Sequence, residues 1–320
     1  MTRSHALAAA AFAGALLVPF VVRSDYTLQV LFRLFLFSAL GLAWNLVGGY
    51  AGQLSLGHSA YFGAGAYGLA LSTRLGLPAW PSVGVGILVA MLFALVIGGV
   101  SFRLRGPYFA LATIACAEIL RLSAKNLTGL TGGDVGAAVP ALFSGQVVRS
   151  FYWSAVLLAS LAAAATLAVT RSRFGYYLMA IREDEDTALS VGIDTAKTKL
   201  AALLISAALT AVAGSLYASL FLYIVPDQVF GLDISNEVAI VAMLGGVGTI
   251  AGPIVGALIL ETASELFKNV FLEAHLLIYG GLLVFVVLFL PDGIVGTIVR
   301  RRTLARRRAK PPRAPDHAAA

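Results

Sequence analysis

Long uncharged apolar runs, separated by short polar connections, make up most of the chain. From Leu34 to Thr73 no Asp, Glu, Lys or Arg occurs. A hydrocarbon slab about 30 Å thick takes about 20 apolar residues per helix, so this run exceeds one span. Gly48, Gly49, Tyr50, Ala51 and Gly52 divide it. The pattern predicts a helix over 28–47, an irregular glycine turn, and a second helix over 54–73. Further spans are expected over 6–22, 82–102, 107–121, 152–170, 201–225 and 276–290. The segment 122–151, with NLTGLTGGDVG and Pro140, reads as an extramembrane loop. The run VAIVAMLGGVGTIAGPIVGALILE is long enough to cross but holds Gly245, Gly246, Gly248, Gly252 and Pro253. Glycine and proline disfavour a continuous helix there, and two half-helices joined near Gly245 to Gly252 are expected. Period-two alternation, the mark of a barrel, is absent. The expected fold is an all-α polytopic membrane protein with about eight transmembrane helices plus a glycine-broken re-entrant helix pair.

One charge-dense stretch, Arg171 to Lys199, interrupts this pattern. Arg171, Arg173 and Arg182 precede Glu183, Asp184, Glu185 and Asp186, and Gly192 follows. Acidic residues in a first turn and glycine after the last are helix start and stop signals. A short helix over Glu183 to Val191, lying at the membrane surface, is expected. From the local pattern alone, the stretch reads equally well as a solvated loop.

Composition agrees: at 59% hydrophobic and 12% charged, the chain has too few charges for a soluble surface. The net charge of +7 lies in the tail, where eight basic residues from Arg300 to Arg313 outweigh Asp316; the remaining 15 basic and 15 acidic residues cancel. A polybasic tail after a hydrophobic helix is a topology and lipid-surface signal, so membrane lipids rather than nucleic acid are its expected partner. Residues 1–299 read as the transmembrane domain, with 171–199 its cytoplasmic loop, and 300–320 as a basic, disordered cytoplasmic tail. Positive residues stay cytoplasmic, which places loop and tail on one side and requires an even number of crossings between them; the re-entrant pair supplies the parity. Ala13, Gly14 and Ala15 fit a signal-peptide cleavage site, though an uncleaved first span is the expectation.

The two glycine-broken segments, 48–68 and 243–261, hold comparable places in the two halves of the chain. Interrupted helices so placed point to a transport path, because half-helix N-termini offer N–H groups and a positive dipole end to an anion such as a carboxylate. Close helix packing through small residues accounts for the same glycines. Candidate path residues are Asn45, Gly49, Gln53, Ser55, His58, Glu237, Gly245 and Gly246. His58 and Glu237 are the ionisable residues nearest the breaks. Glu118 and Arg121 stand at pairing distance on a helix. No lysine follows a glycine, so no Walker A loop exists. The four scattered histidines and the single Cys116 show neither a metal-ligand spacing nor a disulfide framework, and no hydrolase motif occurs.

The stretch GLAWNLVGGYAGQLSLGHSAYFGAGAY, Gly41 to Tyr67, resembles the N-terminal signature of LivM-type permeases of branched-chain amino acid ABC importers. RLRGPYFALATIA, LTGLTGGDVG, AIREDEDTALSVGI and AIVAMLGGVGTIAGPIVGALIL continue the resemblance across most of residues 30 to 292. Within AIREDEDTALSVGI, Glu185, Ala188 and Gly192 match the coupling motif, and Thr187 replaces its usual alanine. The resemblance implies a bacterial inner-membrane subunit that pairs with a LivH-like permease, two cytoplasmic ABC ATPases and a periplasmic binding protein. It implies that ATP is hydrolysed by those partners, with no cofactor bound directly. It also assigns ATPase coupling to the segment carrying Arg182, Glu183, Glu185, Ala188 and Gly192. Related permeases carry urea and short amides; an ion-coupled secondary transporter using His58 or Glu237 is the alternative of another class.

Overall fold

In the computed structural model, which describes residues 12, 14–22, 24–144, 147–270, 280–281 and 293–297 (backbone alone at 267–270), the long apolar runs fold as helices. Six of these are long and apolar enough to cross a membrane: Asp25–Tyr50, Ala79–Ser101, Pro107–Asn126, Val147–Arg171, Thr195–Phe221 and Pro226–Gly245. The chain is therefore a multi-pass, all-α membrane protein. Residues 6–11 of the first expected span, nearly all of 276–290, and the tail 300–320 lie outside the described residues.

The main helices are α1 (Asp25–Asn45), α2 (His58–Arg74), α3 (Ala79–Ser101), α4 (Pro107–Asn126) and α5 (Val147–Arg171). They continue with α6 (Arg173–Glu183), α7 (Glu185–Ser190), α8 (Thr195–Phe221), α9 (Leu232–Gly245) and α10 (Ala251–Val270). Phe32 of α1 packs edge-on against Phe151 of α5, and Phe35 against Tyr152. These contacts set α1 and α5 side by side. Among the described residues the bundle has two ends. The loop end carries 172–194 together with the α3–α4 turn, where Arg105 meets Asp186. The strand end carries a two-residue antiparallel ladder, Ala137↔Ile224 and Ala138↔Tyr223.

Several boundaries differ from expectation. α4 extends to Asn126 and α5 starts at Val147, so much of the expected loop 122–151 is helical. The polar end of α4 is held in helix by ion pairs: Arg121 meets Glu118 and Asp227, and Lys125 meets Asp134 at 3.0 Å and Asp227 at 2.9 Å. The expected Glu118–Arg121 pair is thus present, within a larger network. α2 begins at His58 rather than 54 because backbone groups just before it are met from elsewhere. Trp44 Nε1 donates to the Ser55 carbonyl at 2.7 Å and the Leu56 N–H donates to Thr113 Oγ1 at 3.1 Å. Last, the broken pair is longer than two half-helices: α10 has 20 residues, about 30 Å. Asn45 holds its beginning at one end of α1, and Tyr26, at the other end of α1, hydrogen-bonds Glu265. α9 and α10 thus form an antiparallel hairpin whose glycine turn reaches the loop end.

The centre of the bundle is α2 against α8. A Cβ at Gly65 would strike the Ala211 carbonyl, and one at Gly214 the Phe62 carbonyl. Each helix therefore seats a glycine on the other's backbone, the small-residue contact that replaces hydrophobic driving force inside a bilayer. Substituting Gly214→Val overpacks this contact, at a cost of about 1–3 kcal/mol or more, and lowers the unfolding midpoint in detergent. Gly84→Ala, inside α3 where nothing lies within 4 Å, does not lower the midpoint in the same thermal scan.

Candidate functional site

Three pieces of irregular backbone meet at the loop end. The first is a π-helical turn, Leu46–Tyr50, that widens the end of α1. The widening follows from the side chains beneath it: a Cβ at Gly48 would enter the Trp44 ring, and one at Gly49 would meet Asn45 Oδ1. π-bulges of this kind recur at functional sites. The second is the turn between α9 and α10, where Gly246 and Gly248 adopt φ values of 132° and 76° that only glycine takes readily. Thr249 completes it, Oγ1 donating to the Gly246 carbonyl at 2.8 Å and accepting from the Gly252 N–H at 3.0 Å. The third is the α6–α7 junction.

Asn45 joins the first two. It is fully buried; its Oδ1 accepts from the Gly248 N–H at 2.8 Å, and its Nδ2 donates to the Thr249 carbonyl at 2.8 Å. One side-chain amide thereby satisfies a donor and an acceptor that the break had freed, as membrane burial requires. Arg182, near the end of α6, joins the third: Nη1 donates to the Gly49 carbonyl at 2.8 Å. The same guanidinium lies where a Cβ on Gly248 would stand, and the Arg182 stem lies against Gly52. Arg182, which the resemblance assigned to ATPase coupling, thus fastens the charged loop onto both glycine breaks.

Other candidates are placed as follows. His58 is fully buried, its Nδ1 3.2 Å from Ser55 Oγ and its Nε2 2.9 Å from Ser206 Oγ. Both ring nitrogens are therefore engaged by hydroxyls, across the interval between α2 and α8. Gln53 serves its own turn, with its N–H bonded to the Val47 carbonyl at 3.0 Å. Gly245 packs against the Gly252 carbonyl, and Gly246 forms the turn. Glu237 does not join this group. It sits eight residues before Gly245, about 12 Å along the helix, toward the strand end, where Arg33 lies 3.9 Å from it and 3.7 Å from Glu261. Proximity in sequence to the break is not proximity in space here, because a helix carries its residues away from its own terminus.

The surface helix expected over Glu183 to Val191 is present as α7, Glu185–Ser190, set off from α6 by a sharp break. Asp184 leaves the helical conformation, its side chain accepting from the Thr187 N–H at 2.6 Å. Helix α7 therefore starts at Glu185, and Glu183 is the exposed last residue of α6. The Thr187 N–H holds the Asp184 carboxyl below the usual carboxylate range. At the far end Gly192, at φ 87°, closes the helix, its N–H donating to the Leu189 carbonyl at 2.9 Å. Ala188 faces inward and is buried, whereas Leu189 and Val191 are exposed at 47% and 71%. Leu189 and Val191 thus put aliphatic surface outside the spans, beside the exposed polar Asp186, Thr187 and Ser190. Glu185 also turns inward, 2.6 Å from Lys199 Nζ and 3.0 Å from Thr195 Oγ1. Pairing signals flagged Glu118 and Arg121, but not Lys199 with its partner fourteen residues away. Two lysines, Lys197 and Lys199, at the start of an otherwise uncharged helix were the available sign.

A multi-pass helical bundle whose charged loop is tied to two interrupted helices is the build of a transport subunit rather than of a passive anchor. Residues 26–287 match the family of branched-chain amino acid transport system permease components, and the chain belongs to that family. LivM of Escherichia coli K12, a high-affinity branched-chain amino acid transport system permease protein, is 31% identical over 306 residues, covering 87% of this chain and 71% of its own. LivH of Salmonella typhimurium is 27% identical over 285 residues, covering 81% of this chain and 91% of its own. BraD of Pseudomonas aeruginosa is 27% identical over 283 residues, with the same coverage.

Replacing Asn45 by Ala leaves the Gly248 N–H and the Thr249 carbonyl without their partner, at about 1–3 kcal/mol for each buried group. The expected outcome is a lower unfolding midpoint and faster hydrogen exchange at 246–250. Asp184→Ala removes the cap that accepts from the Thr187 N–H, so amides 187–190 exchange severalfold faster. Because the folded pKa of Asp184 lies below its unfolded value of about 3.9, the cap is complete above about pH 5. It is lost as pH falls through the lowered value, and the difference between wild type and variant closes with it.

Proposed function

We propose that this chain is a membrane-spanning permease subunit of an ATP-driven importer for branched-chain amino acids, with the ATPase site on separate subunits. The observation that carries this reading is the Arg182 contact to Gly49, which physically connects an exposed surface helix to both interrupted segments. In this reading the loop end faces the cytoplasm. Arg103, Arg105, Arg171, Arg173 and Arg182 cluster there, as the positive-inside rule requires, and the basic tail lies on the same side. The spans outside α9–α10 number eight, and the α9–α10 hairpin enters and leaves at the strand end with its turn at the loop end, so parity holds. The membrane is the bacterial inner membrane, where the chain pairs with a LivH-like permease and receives solute from a periplasmic binding protein. Two cytoplasmic ATPases dock on α7 through Leu189 and Val191, the exposed aliphatics of the surface helix. Coupling is assigned to Arg182, Glu183, Glu185, Ala188 and Gly192. The path runs beside Asn45, Gly49, Gln53, Ser55, His58, Gly245 and Gly246, while Glu237, paired with Arg33, stands apart from it.

The mechanism is alternating access. Closure of the ATPases on ATP moves α7, Arg182 carries the displacement to the π turn and the α9–α10 turn, and the bundle opens to the other side. Side-chain hydrogen bonds are suited to this, since Asn45 and Arg182 can release or regain their backbone partners without unwinding a helix. His58 acts as a buried hydrogen-bonded link between α2 and α8, which leaves its ring without a proton-carrier role in this reading.

Uptake of radiolabelled leucine into liposomes tests the assignment. The chain assembled with its companion subunits imports leucine only with ATP inside and binding protein outside; import by the chain alone, driven by a proton gradient, would overturn it. Gly192→Pro removes the N–H that closes α7 and demands a φ of about −65° where the chain takes 87°. It abolishes uptake while the protein remains in the membrane. A cysteine at the exposed Ser190, in a Cys116→Ser background, reacts with a membrane-impermeant maleimide only after the cytoplasmic face is opened.

A further inference from the structure

Lys199 is the most deeply buried charged side chain among the described residues, at 1% exposure. Its position is unfavourable twice over. An ammonium leaves water at high cost unless paired, and Lys199, the fifth residue of α8 after the Asp194 cap, stands near the positive end of the helix dipole. What holds it is Glu185, the first residue of α7, 2.6 Å away, with Thr195 Oγ1 donating to the same carboxylate oxygen at 3.0 Å. The Phe102 ring lies 5.3 Å from the ammonium and is itself stacked on Phe109, so α3 and α4 wall the pair in.

Asp186, the next residue, faces the other way and pairs with Arg105 at 2.7 Å, with both side chains 60% or more exposed. The surface helix is therefore held by two ionic contacts of unlike character. The exposed one exchanges readily with water and is screened by salt; the buried one cannot be broken without stranding a charge. Any displacement of α7 that spares the buried contact must take α8 with it. Helix α8 carries Ser206, bonded to His58, and Gly214, seated on Phe62.

We infer that Lys199 is the positioning residue that makes α7 and α8 a single moving part, so that the stroke of the ATPases reaches α2 through the Glu185–Lys199 contact. Glu185 then works from inside the chain, not as a contact to the ATPase. The inference rests on the importer reading above and adds a second route to the one through Arg182.

The test uses the assembled importer in liposomes with binding protein, reading ATPase co-purification, ATP hydrolysis and leucine taken up per ATP consumed. Lys199→Met is expected to keep the ATPases bound and hydrolysing while uptake per ATP falls about tenfold or more. The exchanged pair, Glu185→Lys with Lys199→Glu, restores the ratio to within about threefold of wild type. Lys197→Met, whose side chain is 85% exposed, leaves the ratio unchanged. An unchanged ratio in Lys199→Met overturns the inference. So does loss of the ATPases from that variant, which would make the contact a docking determinant, and so does failure of the exchanged pair in an assembled complex. Absence of ATP-driven uptake in the wild-type assembly would instead sink the importer reading itself.

Discussion

Backbone freed from a helix inside a bilayer has no water to turn to, and this constraint shapes the loop end of the bundle. Two helices are interrupted there, one by a π turn and one by a glycine turn. Each leaves N–H or carbonyl groups that would cost several kcal/mol if orphaned in hydrocarbon. Asn45 answers for the glycine turn with both ends of one amide, and Arg182 answers for Gly49 from the charged loop. The irregular segments are therefore not loose. They are held by side chains that come from other parts of the chain: Asn45 from a buried span and Arg182 from the charged loop.

The helices were legible in the sequence because membrane depth sets a length that apolar runs either meet or miss. The two breaks were legible as well, because several glycines close together weaken a helix at one definite place along such a run. The helix ends were not. α4 outruns its apolar stretch because Arg121 and Lys125 find carboxylates on a segment about a hundred residues away, and no local pattern encodes that. The expected surface helix starts at Glu185 rather than Glu183 because the Asp184 side chain caps it, a choice an acidic run of four leaves open.

For the site, residue types were easier to read than residue roles. Asn45, Gly49 and the glycines of the second break are brought together as a group, whereas Glu237 is carried to the other half of the bundle and joined to Arg33. Ala188 and Glu185 were legible through the resemblance to a coupling motif, yet both face the bundle. A motif reports which residue types a segment holds and leaves open which face each of them occupies. The direction is set by partners such as Lys199 and Thr195, which lie in the next helix and bear no motif of their own.

The reciprocal seating of Gly65 and Gly214 on each other's neighbouring carbonyls carries a mechanical consequence. Two helices in backbone contact at a pair of offset notches have no low-energy register a few ångströms along, because any shift drives a larger side chain into the space a hydrogen atom had filled. Shear between them is closed off, and rotation as a pair is the freedom that remains. A transporter built around such a pair operates as a rocker about a stiff axle, and its stroke is set by angle rather than by sliding distance.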